Sequence, residues 1–469
     1  MLFTAPSFLF LFLPLLLAIY ALLPQHYRRY AILLFNVIFL LLCTHHQIST
    51  LLLALATAAF TYSAGFAIAV THRRKTVLGA SVVLLIVFFG LRLFHAYSLA
   101  HGPHFYPLGA TMMLLSSLSY LMDIYRSDAP HAKNFAELLI YLFFFPTAII
   151  GPIIRYKRFC NLLDEIDFSL ENFGRGVQTY MAGFIKRIGI AAILCFMHTR
   201  MLAGYGEEID LLSAILALVL MLAELWFSIH GYVDMARGLL LMLGIACETD
   251  SPNPGEESER PQRRAHCLNS FVLYAEDYWI APILRNNRIS EAMRQLLAAG
   301  VMAVFAAMLI KTRWYMLIPA MLMMALYFTT IRTGVTEVSA PSRSHRIVRT
   351  SLSLLTLLIF WCFALIESPA QTWSILGKIQ LQPTPELSDA LYSVSAYGRY
   401  LLVGAIGLFA ALPLHATSGR YLNKLSHPLQ MTLCTASMLI FMGAFVFTIL
   451  QFTPQFPQYA ATPFNHIVI

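Results

Sequence analysis

The chain has 469 residues, of which 58% are hydrophobic and 12% are charged, and its mean hydropathy is +0.68. A soluble protein could not cover so much apolar surface, whereas a bilayer requires it, so the composition excludes a soluble globular protein. The net charge of +8 does not indicate nucleic-acid binding, because the basic residues form short clusters between apolar runs, as in cytoplasmic loops. The seven cysteines show no CxxC spacing, so neither a zinc site nor a disulfide framework is predicted.

The first apolar runs predict a topology from the charges that flank them. Phe8 to Leu23 is typical of a membrane anchor, and the basic cluster Gln25 to Tyr30 behind it places that loop in the cytoplasm and the N-terminus outside. Ala31 to Cys43 and Thr50 to Val70 then cross the membrane and return. They end at a second basic cluster, Thr71 to Thr76, which again falls on the inside.

Two segments in the middle of the chain depart from simple spans. Leu138 to Ile150 has only about 13 residues, too few to cross a bilayer, and it runs directly into Gly151-Pro152. This pattern predicts a re-entrant or broken helix, although a plain cytoplasmic boundary fits the same length. Phe173 to Leu202 carries Lys186 and Arg187 in its centre, so we expect part of it to lie in the interface with these side chains snorkelling.

The second half of the chain continues as apolar runs with two polar interruptions. Leu211 to Gly244 is too long for one ordinary span and predicts two helices that turn near His230-Gly231. Residues 248–266 form a polar insertion that we place in the cytoplasm, and residues 367–396 form an external loop. The whole chain, 1–469, is predicted to be one membrane domain with about eleven to thirteen membrane segments and both termini periplasmic.

The strongest candidate site lies in the apolar stretch from Phe227 to Gly244. His230, Asp234 and Arg237 are spaced by four and three residues, so they share one helical face. Ionisable groups inside hydrocarbon are costly unless they are paired or face a wet cavity, and they therefore indicate a functional site. An internal ion pair that only locks two helices together is the alternative.

Motifs along the chain resemble the membrane-bound O-acyltransferase (MBOAT) family in its bacterial alginate O-acetylase branch. The most specific of them is Gly231-Tyr-Val-Asp-Met-Ala236. The others keep the family order over residues 1 to about 330: Met1 to Pro14, Pro107 to Gly109, Tyr120 to Arg126, Phe145-Pro146, Gly151 to Tyr156, Asp277-Tyr278, Pro282 and Asn287-Arg288.

The resemblance implies an all-α integral membrane protein, with a ring of about 11–13 tilted and re-entrant helices around a central funnel. It implies an acyl-CoA donor, acetyl-CoA, that enters from the cytoplasm, with no bound cofactor and no metal. Expected partners are membrane lipids and a periplasmic acetyltransferase-type protein, without nucleic acid, at the bacterial inner membrane. Tyr232, Arg237, Arg155 and Asp123 are expected to line the cavity or to support it.

The sequence departs from the family where the catalytic histidine is expected. That position is Ile310, and a second family histidine falls near Met323. No histidine stands between His266 and His345, so a shift of the alignment does not restore one. The first interpretation is therefore an inactive scaffold or acyl conduit that keeps the MBOAT fold.

A second interpretation keeps an enzyme and assigns the base to His230, with Asp234 as its orienting carboxylate. An acceptor hydroxyl is a poor nucleophile until a general base takes its proton, and an imidazole held by a carboxylate is such a base. A transporter is a third interpretation, since intramembrane charges and broken helices also suit transport. The absence of inverted repeats argues against it.

Overall fold

The computed structural model describes residues 3–5, 7–43, 48–101, 109–148, 151–162, 166, 168–204, 209–245, 274, 277–278 and 379–380. Within these residues the protein is helical, apart from one short parallel pairing of β1 (Ile209–Asp210) with β2 (Ile379–Gln380). The prediction of an all-α membrane protein is confirmed.

The helices follow one another with short connections. In chain order they are α1 (Leu13–Leu22), α2 (Gln25–Cys43), α3 (Ile48–Thr71), α4 (Arg74–His101), α5 (Ala110–Tyr125), α6 (Phe135–Leu142), α7 (Phe145–Ala148), α8 (Tyr156–Leu162), α9 (Leu170–Phe184), α10 (Ala192–Gly204) and α11 (Leu211–Met242). A π-helical turn, Phe8–Phe12, leads directly into α1, and a second one, Ile185–Ala191, joins α9 to α10.

Three helical segments of the described chain are long and apolar enough to cross a membrane. They are Leu51–Thr71, Arg74–Leu91 and Asn172–His198. A span needs about 20 predominantly apolar residues, so each of these segments meets the length requirement. Their presence agrees with the apolar composition and identifies a membrane protein.

The chain divides into two compact units. One contains Met1–Val177 and Ala236–Trp314, and the other contains Gln178–Met235 and Tyr315–Val468. The boundaries therefore fall inside α9 and α11. The sequence-based assignment of a single domain stays a prediction.

The first unit contains a broken helix that one asparagine completes. α6 ends at Leu142 and α7 begins at Phe145, so the predicted break in this short apolar run is confirmed. Asn36 of α2 is fully buried beside the break. Its side-chain amide donates to the carbonyl of Ile140 at 3.3 Å, and its side-chain oxygen accepts from the N–H of Phe145 at 3.0 Å. Asn36 thus satisfies backbone groups that lose their helical partners where no water is available.

α11 is one continuous helix, so the predicted turn near His230-Gly231 is wrong. Gly231 serves close packing instead of a bend. A Cβ at Gly183 would lie 2.4 Å from the carbonyl oxygen of Gly231, and a Cβ at Gly231 would lie 2.8 Å from the carbonyl oxygen of Gly183. Both values are too short for any side chain. Small residues at such a crossing let two helix backbones meet directly in lipid.

Replacing Asn36 tests whether the break depends on its amide. In Asn36→Leu, one buried N–H and one buried carbonyl lose their partner, and each loss costs about 1–3 kcal/mol. We therefore expect a clearly lower thermal unfolding midpoint of the detergent-purified protein. Thr57→Val is the control, because the Thr57 hydroxyl donates to Leu53 of its own helix at 2.9 Å. Equal midpoints for the two variants would contradict this role of Asn36.

Gly183→Ala tests the close crossing of α9 and α11. The added methyl group would meet backbone atoms that cannot rotate away, so we expect a lower unfolding midpoint and a lower yield of folded protein. Gly174→Ala on the same helix is the matched control, since a Cβ there meets nothing within 4 Å. Alanine also has the higher helix propensity. If Gly183→Ala is as stable as Gly174→Ala, the crossing does not require glycine.

Candidate functional site

The second unit pairs charges between α11 and the π-helical turn Ile185–Ala191. Lys186 forms an ion pair and hydrogen bond with Asp234, and each side chain is only 18% exposed. The neighbouring Arg187 is 1% exposed, and its guanidinium carbon lies 5.6 Å from the ring centroid of Tyr232. The expectation that Arg187 snorkels to the interface is therefore wrong. The face of the Tyr232 ring on α11 offsets part of the cost of this burial.

His230 lies one turn before Asp234 on α11, as the spacing predicts. Its Nδ1 bonds the carbonyl oxygen of Trp226 at 2.8 Å, and the two rings lie 4.0 Å apart with a 32° tilt. A carbonyl only accepts, so this bond places the ring proton on Nδ1. In the described contacts Asp234 binds Lys186 and His230 binds its own helix. The assignment of Asp234 as the carboxylate that orients His230 stays a prediction.

A histidine–carboxylate pair is present elsewhere in the same unit. His198 of α10 and Glu224 of α11 are both buried, and Nε2 of His198 lies 2.8 Å from Oε2 of Glu224. Nδ1 of His198 is buried and has no hydrogen-bond partner in the described part of the chain. The donor atoms of Cys195, His198 and Glu224 all lie within 4.8 Å of one another.

The first unit holds a buried polar cluster around Asp123 at the end of α5. One carboxylate oxygen accepts from the Tyr278 hydroxyl at 2.5 Å, and the other accepts from the N–H of Lys157 at 3.0 Å. The Tyr278 hydroxyl also lies 2.9 Å from the Ser119 hydroxyl. Burial raises the pKa of Asp123, while these two hydrogen bonds lower it, and burial likewise raises the pKa of Tyr278. Tyr278 therefore remains a phenol that donates to Asp123.

Arg155 holds the same segment from a more exposed position. It pairs with the carboxylate of Asp277, and both side chains are nearly half exposed. Arg126 donates to the backbone carbonyl of Asp277 at 2.8 Å and lies 5.2 Å from the ring centroid of Tyr278. Surface pairs of this kind contribute little stability. Their effect is to fix where residues 277–278 lie against α5.

A small apolar pocket lies in the first unit between α2, α3, α4 and α5. Its lining includes Leu53 and Phe88 from two membrane-spanning segments, and Asn36 is its most polar member. No titratable side chain lines it. The pocket therefore supplies no acid–base group, and its surface suits hydrocarbon.

Several sequence predictions lie outside the described residues. These are the substituted histidine positions Ile310 and Met323, the polar insertion 248–266 and the external loop 367–396. Arg237 lies half-buried on α11. Sequence reasoning missed His198 and Glu224, which stand 26 residues apart. Each is an ionisable residue inside an apolar run, and this signal alone could have identified them.

Comparison with known proteins gives consistent matches. The model of the membrane-bound O-acyltransferase family (MBOAT) matches residues 38–265. The chain is 30% identical to the probable alginate O-acetylase AlgI of Pseudomonas fluorescens, over 52% of this chain and 49% of that protein. It is also 30% identical to the probable alginate O-acetylase AlgI of Azotobacter vinelandii, over 52% of each chain.

A more distant match is the peptidoglycan O-acetyltransferase of Helicobacter pylori, which is 26% identical over 39% of this chain and 40% of that protein. The chain thus spans about half the length or less of these curated relatives. The matched region contains the ion pair, the His198–Glu224 pair and the Asp123 carboxylate.

A double-mutant cycle tests the ion pair. Asp234→Asn leaves the Lys186 charge without its carboxylate in a mostly buried site, and breaking a buried pair costs about 3–5 kcal/mol. We expect a strongly lowered unfolding midpoint for Asp234→Asn and for Lys186→Met. The double variant should lose less than the sum of the two, because neither charge is then left alone. Additive losses would show that the two side chains do not stabilise one another.

Proposed function

Because the chain belongs to the membrane-bound O-acyltransferase family, we propose that it is a membrane O-acyltransferase that acetylates an exopolysaccharide of the alginate type. It takes the acyl group from a cytoplasmic thioester donor, acetyl-CoA, and moves it toward a periplasmic acceptor or a periplasmic acetyltransferase-type partner. The bacterial cytoplasmic membrane is its compartment, with both termini on the periplasmic side. The relatives' names, which refer to alginate and peptidoglycan O-acetylation, support this substrate class.

One observation carries the proposal: the region that matches the family holds ionisable side chains buried in helices of membrane length. Lys186 and Asp234 are paired there, Arg187 is buried, and His198 meets Glu224. Such groups are expensive in a membrane and are kept where they form a pathway or a site. A hydrophobic anchor would not need them. Acyl transfer does need charges at membrane depth, to bind polar substrates and to move a proton.

The chemistry is a transesterification. A hydroxyl oxygen of the acceptor attacks the thioester carbonyl, the carbon–sulfur bond breaks and an ester carbon–oxygen bond forms. The hydroxyl proton passes through a base to the leaving thiolate, which departs as the free thiol of coenzyme A. The sequence offers His230, with Asp234, as one candidate for this base.

A catalytically inactive MBOAT scaffold or acyl conduit is the second candidate function. It is favoured by Ile310 and Met323, which stand where the family carries histidines. In that case the chain would support acetylation by partner proteins without consuming the donor itself. Transport of a substrate without acyl transfer is a weaker third candidate.

The experiment that separates these functions uses the purified full chain in liposomes with radiolabelled acetyl-CoA and de-acetylated alginate. An acyltransferase releases free coenzyme A thiol and places label on alginate in an alkali-labile ester. We expect thiol release that depends on the protein, together with loss of polysaccharide O-acetyl groups in a deletion strain. Loss of acetylation in the strain without thiol release in liposomes would favour the scaffold. Uptake of label without hydrolysis or transfer would favour transport.

A further inference from the structure

His198 has the contacts that a base requires. Its Nε2 lies 2.8 Å from a carboxylate oxygen of Glu224. An ionised carboxylate only accepts hydrogen bonds, so the pair assigns the ring proton to Nε2. Nδ1 then carries a lone pair. That nitrogen is buried and has no hydrogen-bond partner among the described residues. Buried polar atoms without a partner are rare in proteins and require an explanation.

The contacts of His230 are different. Its Nδ1 is bonded to the carbonyl of Trp226 on its own helix, and its ring lies against the Trp226 ring. Asp234, the carboxylate one turn away, is bonded to Lys186. A general base needs a group that fixes its tautomer and an open nitrogen that faces the substrate. His198 meets the first requirement through Glu224 and the second through its Nδ1.

We propose that His198, oriented by Glu224, is the general base that takes the proton from the acceptor hydroxyl. This inference rests on the proposed acyl transfer. Nδ1 of His198 accepts the hydroxyl proton while the oxygen attacks the thioester carbonyl. The imidazolium is stabilised by the Glu224 carboxylate and returns the proton to the leaving thiolate, so that the imidazole is neutral again. Glu224 is a positioning residue, since it acts through His198.

Helix packing explains how these two residues meet. His198 stands at the end of the apolar segment Asn172–His198, and Glu224 stands in the middle of α11. The crossing at Gly183 and Gly231 brings the backbones of α9 and α11 into contact in the same unit. The pair is therefore held by two helices and not by a loop, which suits a base that must keep its geometry within a fraction of an ångström.

Metal binding is the competing use of the same residues. Cys195, His198 and Glu224 supply sulfur, nitrogen and oxygen donors within 4.8 Å of one another. Such donors suit zinc, which prefers four ligands in a tetrahedron. The Nε2–Oε2 distance of 2.8 Å is that of a hydrogen bond, which a shared metal ion would replace. The proton-accepting role fits this distance better than a shared metal ion does.

The test compares purified full-length variants in nanodiscs with acetyl-CoA and de-acetylated alginate, measuring kcat and KM for both substrates. General-base catalysis contributes roughly 10²–10⁴-fold, so His198→Gln should lower kcat by that factor and leave both KM values unchanged. Glu224→Gln should also lower kcat, because an amide no longer enforces one tautomer. Glu224→Asp should recover part of the loss. Cys195→Ser, on the same helix as His198, is the matched control and should retain kcat. His230→Gln is measured beside it as the rival assignment of the base.

Each outcome supports or overturns the inference. Loss of kcat in His230→Gln with retention in His198→Gln would overturn it in favour of the sequence-based base. One bound zinc per wild-type chain, lost together with activity in Cys195→Ser, would overturn it in favour of a metal site. If the wild-type chain and His198→Gln have equal kcat values, the inference is wrong but the proposed function stands. A wild-type chain without turnover removes it together with the proposed function. If His198→Gln does not accumulate, the Glu224 variants decide. A lower kcat in Glu224→Gln with partial recovery in Glu224→Asp supports the inference, and an unchanged kcat in Glu224→Gln overturns it.

Discussion

The structure of the second unit depends on the rule that a charge in a membrane must have a partner. A lone ionised side chain at bilayer depth costs at least about 2.5–3.5 kcal/mol. α11 meets this requirement along its length, with Glu224 bonded to His198, Tyr232 beside Arg187 and Asp234 bonded to Lys186. The partners all come from one continuous helical segment, Asn172–His198. Compensation of charge therefore helps to fix the register of the two helices.

Glycine makes that compensation possible. Lys186 and Arg187 contact α11 where the two helix backbones lie close together. A side chain at Gly183 or Gly231 would prevent this close approach. The same residue pair explains why α11 does not bend at Gly231. Glycine weakens a helix by about 1 kcal/mol relative to alanine, and here the close crossing and its ion pairs offset that cost. The first unit solves an equivalent problem differently, since Asn36 supplies hydrogen bonds to a helix that is already broken.

The sequence predicted the features that depend on composition and on local spacing. Membrane class, all-helical fold and a broken helix within the short run Leu138 to Ile150 follow from apolar residues and from run lengths, and all three are confirmed. The position of the break, after Leu142, was not predicted. Features that depend on which helix meets which were not predictable. The turn expected at Gly231 was wrong because a glycine in a long apolar run signals either a break or a close approach, and periodicity alone does not distinguish them. Likewise, the expectation that Arg187 reaches the interface failed because its partner Tyr232 lies 45 positions further along the chain. Local spacing does not show that these two residues meet.

The candidate site illustrates the same limit. Spacing on one helix correctly placed His230 and Asp234 one turn apart, but residues on one face compete for partners that only the neighbouring helix can supply. Lys186 binds Asp234, and Nδ1 of His230 bonds the Trp226 carbonyl of its own helix. A carboxylate that neutralises a buried lysine is poorly suited to orient an imidazole as well, because the lysine draws the same negative charge. Glu224 binds His198 and, among the described contacts, no lysine or arginine, so this pair avoids the competition. In a membrane protein with few charges, the role of each carboxylate therefore depends on which basic side chain the neighbouring helix brings into contact with it.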